Sequence, residues 1–161
     1  MKIGLDFDRV LFKTDKFNEY LREETGLHHV EEDVYDEHGC YSPEKHAKAC
    51  GINPEEVYSA IENLNRFLYN DIDELRKLKS EHTIVIVTRG EEKLQKQKVK
   101  HSGADRLFDE IYIVQKGSKN VGDINFLVDD RKKEIEDSGV PGMVFDREND
   151  DISDVIEKVK N

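Results

Sequence analysis

Two things are scarce in this sequence: cysteine and long apolar runs. Cys40 and Cys50 are the only cysteines among 161 residues, too few for a disulfide framework. No stretch approaches the length of apolar chain that a membrane-spanning helix needs. Asp6 and Asp8 also interrupt any signal-peptide pattern, so the expected location is cytoplasmic. An excess of positive charge is missing too. Twenty-five Lys and Arg face 36 Asp and Glu, a net charge of −11, which counts against a nucleic-acid polymer or a membrane as partner. Internal repeats and low-complexity linkers are absent, although lysine is plentiful, unlike the lysine-poor surface of an extreme halophile. At this length the chain is one domain with room for a real core and a small insertion. Nothing in it reports the oligomeric state.

What is present begins at the second residue. Lys2-Ile3-Gly4-Leu5 opens an apolar strand that gives out into Asp6-Phe7-Asp8. Side chains alternate along a strand, so both carboxylates lean one way if the strand reaches Asp8. Like charges at the end of a buried strand repel unless a cation, a proton or a positive side chain compensates. That pair is the first candidate site.

Between residues 13 and 70 the pattern is helical. Thr14 to Glu24 has helical spacing with Gly26 placed as a left-handed cap, and Ser42-Pro43 opens a short helix. Residues 28 to 42 have no clear period and are expected to be loop with a short helical turn. Asn53-Pro54 starts a second helix, with Glu56 suited to a capping box and Val57, Ala60, Ile61, Leu64 and Leu68 as its packed stripe. Another short helix is expected over 71–79. His38, Cys40, His46 and Cys50 have a spacing able to clip zinc. The plainer expectation is a buried Cys50 on a helix, an exposed Cys40 and surface histidines.

From residue 83 strands and helices alternate. Apolar strands are predicted at 83–88, 110–114, 124–128 and 142–145, with helices at 91–102, 131–138 and from 152 on. Near-continuous apolar strands separated by helices predict an α/β fold. The expected architecture is a Rossmann-like parallel sheet of about five strands with helices on both faces. Ligands bind where the carboxyl ends of such strands meet. Those ends carry Asp6 and Asp8, then Thr88 with Arg89, then Lys116 with Lys119 close by, then Asp129 and Asp130. Clustered carboxylates suit Mg²⁺, and a threonine and a lysine suit phosphate oxygens. Phosphoryl transfer is mostly positioning and charge neutralisation, so this inventory is sufficient for it.

Asp6-Phe7-Asp8-Arg9-Val10-Leu11, then Thr88 after an apolar run, then Asp129-Asp130 after another, together resemble the motifs of the haloacid dehalogenase superfamily, in its phosphatase branch. The resemblance implies strand order 5-4-1-2-3, a catalytic core at 1–12 and 71–161, and a small helical cap at 13–70. It implies Asp6 as nucleophile and metal ligand, Asp8 as general acid/base with its carbonyl toward the metal, and Asp129 and Asp130 on Mg²⁺. Thr88 would hold the phosphoryl oxygens together with a lysine. Lys119 is favoured over Lys116 by its distance from the acidic pair, which is similar to that in deoxyribonucleotidases. Arg9 stands where these proteins often have glycine, and Arg9 and Arg89 are each open to a substrate role or a surface one. Glu134 is similarly open, as an acid following the last motif or as an exposed helix residue. Lys13, Lys16, Arg22 and Lys45 are available in the cap for other anionic groups of a substrate. The implied activity is Mg²⁺-dependent hydrolysis of a small phosphorylated metabolite, a nucleoside monophosphate being the first guess, through an aspartyl-phosphate. A phosphomutase, or a non-catalytic phosphate-binding or protein-interaction module, is the alternative.

Overall fold

A computed structural model describes all 161 residues. Five strands, β1 (Lys2–Leu5), β2 (Thr83–Arg89), β3 (Glu110–Val114), β4 (Phe126–Asp129) and β5 (Gly142–Val144), form one sheet in the order β3-β2-β1-β4-β5. Every pairing is parallel, and the order is the expected one read from the other edge. β1 lies at the centre, which explains its run of buried residues. Its two faces differ in use. Ile3 and Leu5 point into a cluster of 33 buried apolar residues, with Ile84, Ile86, Phe126 and Val128 beside them. Val85, Val87 and Leu127, one residue out of step, point into a smaller cluster of five on the other face.

The larger face is covered by α4 (Glu92–Ser102), α6 (Ile152–Lys160) and a 3₁₀ segment at Ile72–Lys77. The smaller is covered by α5 (Lys132–Ser138), through Ile135, and by the chain leading into β4. Helix ends follow their local chemistry. Gly26, Gly103 and Gly139 take the left-handed backbone that closes the helices they follow, and Asp151 and Asp154 form a capping box at α6.

The segment after β1 carries α1 (Thr14–Thr25), α2 (Pro43–Ala49) and α3 (Pro54–Ser59). Its entry and exit are tied together at a neck. The Lys13 amide donates to the Phe67 carbonyl at 2.6 Å, and the Tyr69 amide donates to the Leu11 carbonyl at 3.1 Å. Phe17, Leu21, Val57, Ile61 and Leu64 of this segment join the larger sheet-face cluster, so one apolar core runs through both parts.

Several expectations need correction. β1 ends at Leu5, short of Asp8, because the chain turns: the Phe7 carbonyl accepts from the amides of Leu11 and Phe12 at 2.9 and 3.1 Å. Arg9 sits in that turn at φ +66°, a conformation glycine adopts without strain. The stripe from Val57 to Leu68 is not one helix. It is buried as expected, but α3 stops at Ser59 and a 3₁₀ turn, Leu64–Phe67, follows Asn63 in the left-handed region at φ +52°. The break lets the chain return to the neck. Asn53 caps α3 by accepting from the Glu55 amide, and Glu56 makes no return bond. The helix expected over 71–79 is the 3₁₀ segment Ile72–Lys77. Residues 34–42 form a small hairpin in place of a helical turn: the Ser42 amide donates to the Val34 carbonyl, and the Asp36 carboxylate accepts from the amides of His38 and Cys40. No helix is long and apolar enough to cross a membrane.

Candidate active site

The strand C-termini bring Asp6, Thr88 and Asp129 to one rim, as the parallel topology requires. Asp6 is 5% exposed and lies just beyond β1, where its amide donates to the Val128 carbonyl of the neighbouring strand. Carboxylate oxygens of Asp6, Asp129 and Asp130 lie within 4.8 Å of one another. Lys119, 2% exposed, reaches between them, with its Nζ 3.1 Å from Asp6 and 2.6 Å from Asp129. Burial pushes the Asp6 carboxyl well above its ordinary value; Lys119 opposes that rise while Asp129 and Asp8 add to it. Asp129 is raised by burial against the same lysine. Burial would lower Lys119, but Asp6 and Asp129 outweigh it and hold its ammonium charged.

Asp8 is in a different environment. Lys98 Nζ lies 2.6 Å from its Oδ1, the Thr14 hydroxyl donates to the same oxygen at 3.0 Å, and the Gln95 amide donates to Oδ2 at 3.0 Å. Burial alone would raise Asp8, but the Lys98 charge and these three donors bring it below its ordinary value. The two aspartates are therefore driven in opposite directions by their surroundings. Gln95 also donates to the Thr88 hydroxyl at 2.6 Å, so one amide ties the end of β2 to Asp8. Gly90 makes that approach possible, since a Cβ there would lie 2.8 Å from Gln95 Cγ.

Of the two lysines weighed, only Lys119 enters the site. Lys116 is exposed, in the bend after β3, and no contact brings it to Asp6 or Asp129. Arg89 is at the rim, but its guanidinium is taken by Glu134 at 2.8 and 3.0 Å and by the Gly117 carbonyl at 2.7 Å. Glu134 is accordingly a buried partner, held below its ordinary value by Arg89 and Lys119 against the effect of burial. Arg9 pairs with the exposed Asp15. The four possible zinc ligands are turned elsewhere, His38 toward its neighbour Glu37 at 3.6 Å. His46 bonds Tyr41 and the His28 carbonyl, Cys50 faces the same carbonyl, and Cys40 faces the Gln115 carbonyl. Cys40 is the buried cysteine and Cys50 the partly exposed one, the reverse of expectation.

Lys98 and Gln95 are the residues that sequence reasoning missed. They sit three apart on α4, on the face that also presents Leu94 and Val99, and both are at most 4% exposed. Two polar residues on the apolar face of a helix are the available signal.

Beside this cluster opens a cavity of about 430 Å³ between the inserted segment and the sheet rim, with Asp8, Thr14, Phe17, Arg22, Gln95 and Lys98 in its wall. The donor set fits a divalent cation: Asp6, Asp129 and Asp130 converge, and with every carboxyl ionised five (these three, Asp8 and Glu134) stand against three cationic side chains (Lys98, Lys119, Arg89), an excess of two negative charges that a divalent ion would match.

No protein-family model matches the sequence, and no curated protein matches it. Solved structures do. A haloacid dehalogenase-like family hydrolase from Xanthomonas campestris superposes with TM-score 0.59 at 13% identity, over 91% of this chain and 82% of that one. The HAD-hydrolase YfnB from Bacillus subtilis, bound to magnesium, gives 0.56 at 12% identity, over 88% and 84%. An L-2-haloacid dehalogenase from Xanthobacter autotrophicus gives 0.55 at 13% identity, over 88% and 75%. At such identities the likeness is one of architecture: the chain has the fold of the haloacid dehalogenase-like hydrolases.

Proposed function

We propose that the chain is a hydrolase of phosphate monoesters, acting on a small phosphorylated metabolite with Mg²⁺. The observation that carries this reading is the opposed treatment of Asp6 and Asp8 beside a second acidic pair. An Asp nucleophile alone is enough to displace halide from carbon. Asp129 and Asp130 within ligand distance of Asp6, and a second aspartate held by its own donors, are what phosphorus chemistry asks for.

Asp6 supplies the nucleophile: a carboxylate oxygen attacks phosphorus, the P–O bond to the alcohol breaks, and an aspartyl-phosphate forms. Asp8 gives a proton to the departing oxygen. It then takes one from the water that attacks the phosphoenzyme, releasing phosphate and restoring Asp6. As held by Lys98, Asp8 is in the proton-accepting form suited to the second step, so the first requires that grip to slacken when substrate arrives. Thr88 and Lys119 hold phosphoryl oxygens, and the Arg89–Glu134 pair keeps Lys119 flanked on its remaining side. Mg²⁺, held by Asp6, Asp129 and Asp130 with the Asp8 carbonyl, would neutralise charge on the transferred group. The segment over 13–70 acts as a cap that limits water and selects the substrate.

The test is phosphate release from a panel of monophosphates, with and without Mg²⁺, for the wild type and Asp6→Asn. Release that needs Mg²⁺ and falls at least about 10³-fold in Asp6→Asn is expected. A wild type inert on the whole panel, or an Asp6→Asn enzyme of full rate, sinks the proposal.

A further inference from the structure

The chain has eight arginines, and six of them are engaged. Arg9, Arg76, Arg89, Arg106 and Arg147 have carboxylate partners within 4 Å, while Arg66 lies over the rings of Tyr20 and Phe67. The guanidinium groups of Arg22 and Arg131 have no carboxylate within 4 Å, no hydrogen bond and no aromatic partner, in a protein with 36 acidic residues to choose from, although the Arg131 backbone amide donates to Asp129. Both line the cavity beside Asp8. Arg22 comes from α1 in the inserted segment, and Arg131 from the start of α5 just after the acidic pair. The cavity's other cations, Lys98 and Arg89, are already matched by Asp8 and Glu134. Its other acid, Glu91, is hydrogen-bonded to the Tyr58 hydroxyl. Two guanidinium groups without a salt-bridge partner thus face a space whose remaining wall is mixed, with Phe17, Leu21, Leu27 and Leu94 beside the neutral polar Thr14, Asn18, Tyr41 and His46.

We infer that this cavity takes a phosphomonoester bearing a second anionic group, a carboxylate or a second phosphate, at the end of its body away from the phosphate that is cleaved. Arg22 is the residue that reads this second group, and Arg131 supports it from the core side. A guanidinium fork matches either anion with two parallel hydrogen bonds, and in this acidic protein an anion-binding wall is the exception. A cavity of about 430 Å³ holds a small metabolite. A nucleoside monophosphate, whose far end is neutral, leaves both arginines unmatched. Of the cationic residues of the inserted segment, only Arg22 is so placed: Lys45 binds the Tyr35 carbonyl and Lys13 lies over Tyr69.

This inference rests on the phosphomonoesterase reading for the identity of the first anion, so the test separates the two. Calorimetry on the Asp6→Asn protein with Mg²⁺ compares three ligands of similar size: a phosphorylated hydroxy acid, a bisphosphate and a nucleoside monophosphate. At least one of the first two is expected to bind tenfold or more tightly than the third, and the tighter one identifies the second anion. Arg22→Gln is expected to abolish that preference, and Arg22→Lys, which keeps the charge without the fork, to retain part of it. Arg22 is exposed, so these variants are expected to fold. Equal binding of all three ligands, or a preference unchanged in Arg22→Gln, overturns the inference whether or not the wild type hydrolyses phosphate esters. Hydrolysis assays on the wild type bear on the reaction separately.

Discussion

At the residue scale, the site is governed by which cation each carboxylate meets. Lys98 is the clearest case. Its ammonium is buried among Phe7, Phe12 and Phe17, with Asp8 as its one carboxylate partner. Removing either member leaves the other charged and poorly solvated, whereas removing both leaves no unpaired charge in a site of similar volume. Lys98→Met and Asp8→Asn are each expected to lower stability by about 1–3 kcal/mol, and the double variant by clearly less than the sum. Urea unfolding of the four proteins measures this; strict additivity would mean the pair is uncoupled. The Arg89–Glu134 pair makes a pH-dependent prediction. Glu134 is held below its ordinary value, so the pair's stabilisation is present above the unfolded carboxyl's value, about 4.3, and lost as pH falls through the folded one. Arg89→Gln is therefore expected to cost about 1–2 kcal/mol at pH 7, and the difference from wild type to close as the pH is taken below 4. A penalty that persists at low pH would point to lost packing instead. The residues legible in the sequence were those that end strands: Asp6, Thr88, Asp129 and Asp130 stand where an apolar run stops. Lys98 and Gln95 have no such punctuation. Their helix is charged over most of its length, and only the three-dimensional seat of Asp8 shows which of its many polar side chains turn inward.

At the scale of elements, the junction from β2 into α4 carries more of the site than its length suggests. Thr88 ends the strand, Gly90 makes the turn, and Gln95 in the first turns of the helix reaches back to Thr88 and Asp8. The turn works because position 90 has no Cβ. Gly90→Ala is expected to push Gln95 off Thr88 and to cost about 1–3 kcal/mol from overpacking. Gly90→Ala combined with Gln95→Ala, which opens the space the new methyl needs, is expected to recover part of that loss. Thermal unfolding of the two variants decides between steric crowding and a purely backbone effect, since only crowding is relieved by the second change. Elements whose ends carry local chemistry were readable in advance: the glycine cap after α1, and Ser42-Pro43 before α2. The stripe from Val57 to Leu68 was not, because burial at a spacing of three to four is shared by a helix and by a chain folded against a core. The break lets residues 67–69, where the segment leaves, bond to Leu11 and Lys13 at the neck. Those bonds are long-range and leave little trace in the local residues.

At the scale of the molecule, the net charge of −11 and the unbalanced acidic rim point the same way. The folded state holds carboxylates in a buried cluster, and two of them, Asp6 and Asp129, are driven upward by burial. For an acid so raised, folding loses stability as pH rises from the unfolded value toward the folded one. At neutral pH the cluster is a cost that the rest of the fold offsets. A divalent cation binding only the folded state returns stability as RT ln(1 + [L]/Kd), about 2.7 kcal/mol at a hundred times Kd. Mg²⁺ also screens the general negative charge, which any salt does, so the comparison must hold ionic strength fixed. The expected outcome is that the melting temperature rises with Mg²⁺ well beyond NaCl of the same ionic strength. Asp130→Asn is expected to remove most of that excess while leaving the NaCl response intact, because it deletes one ligand and little of the net charge. Equal responses to the two salts, or an excess that survives Asp130→Asn, would mean that the acidic rim is only part of a negative surface and that its charge is balanced some other way.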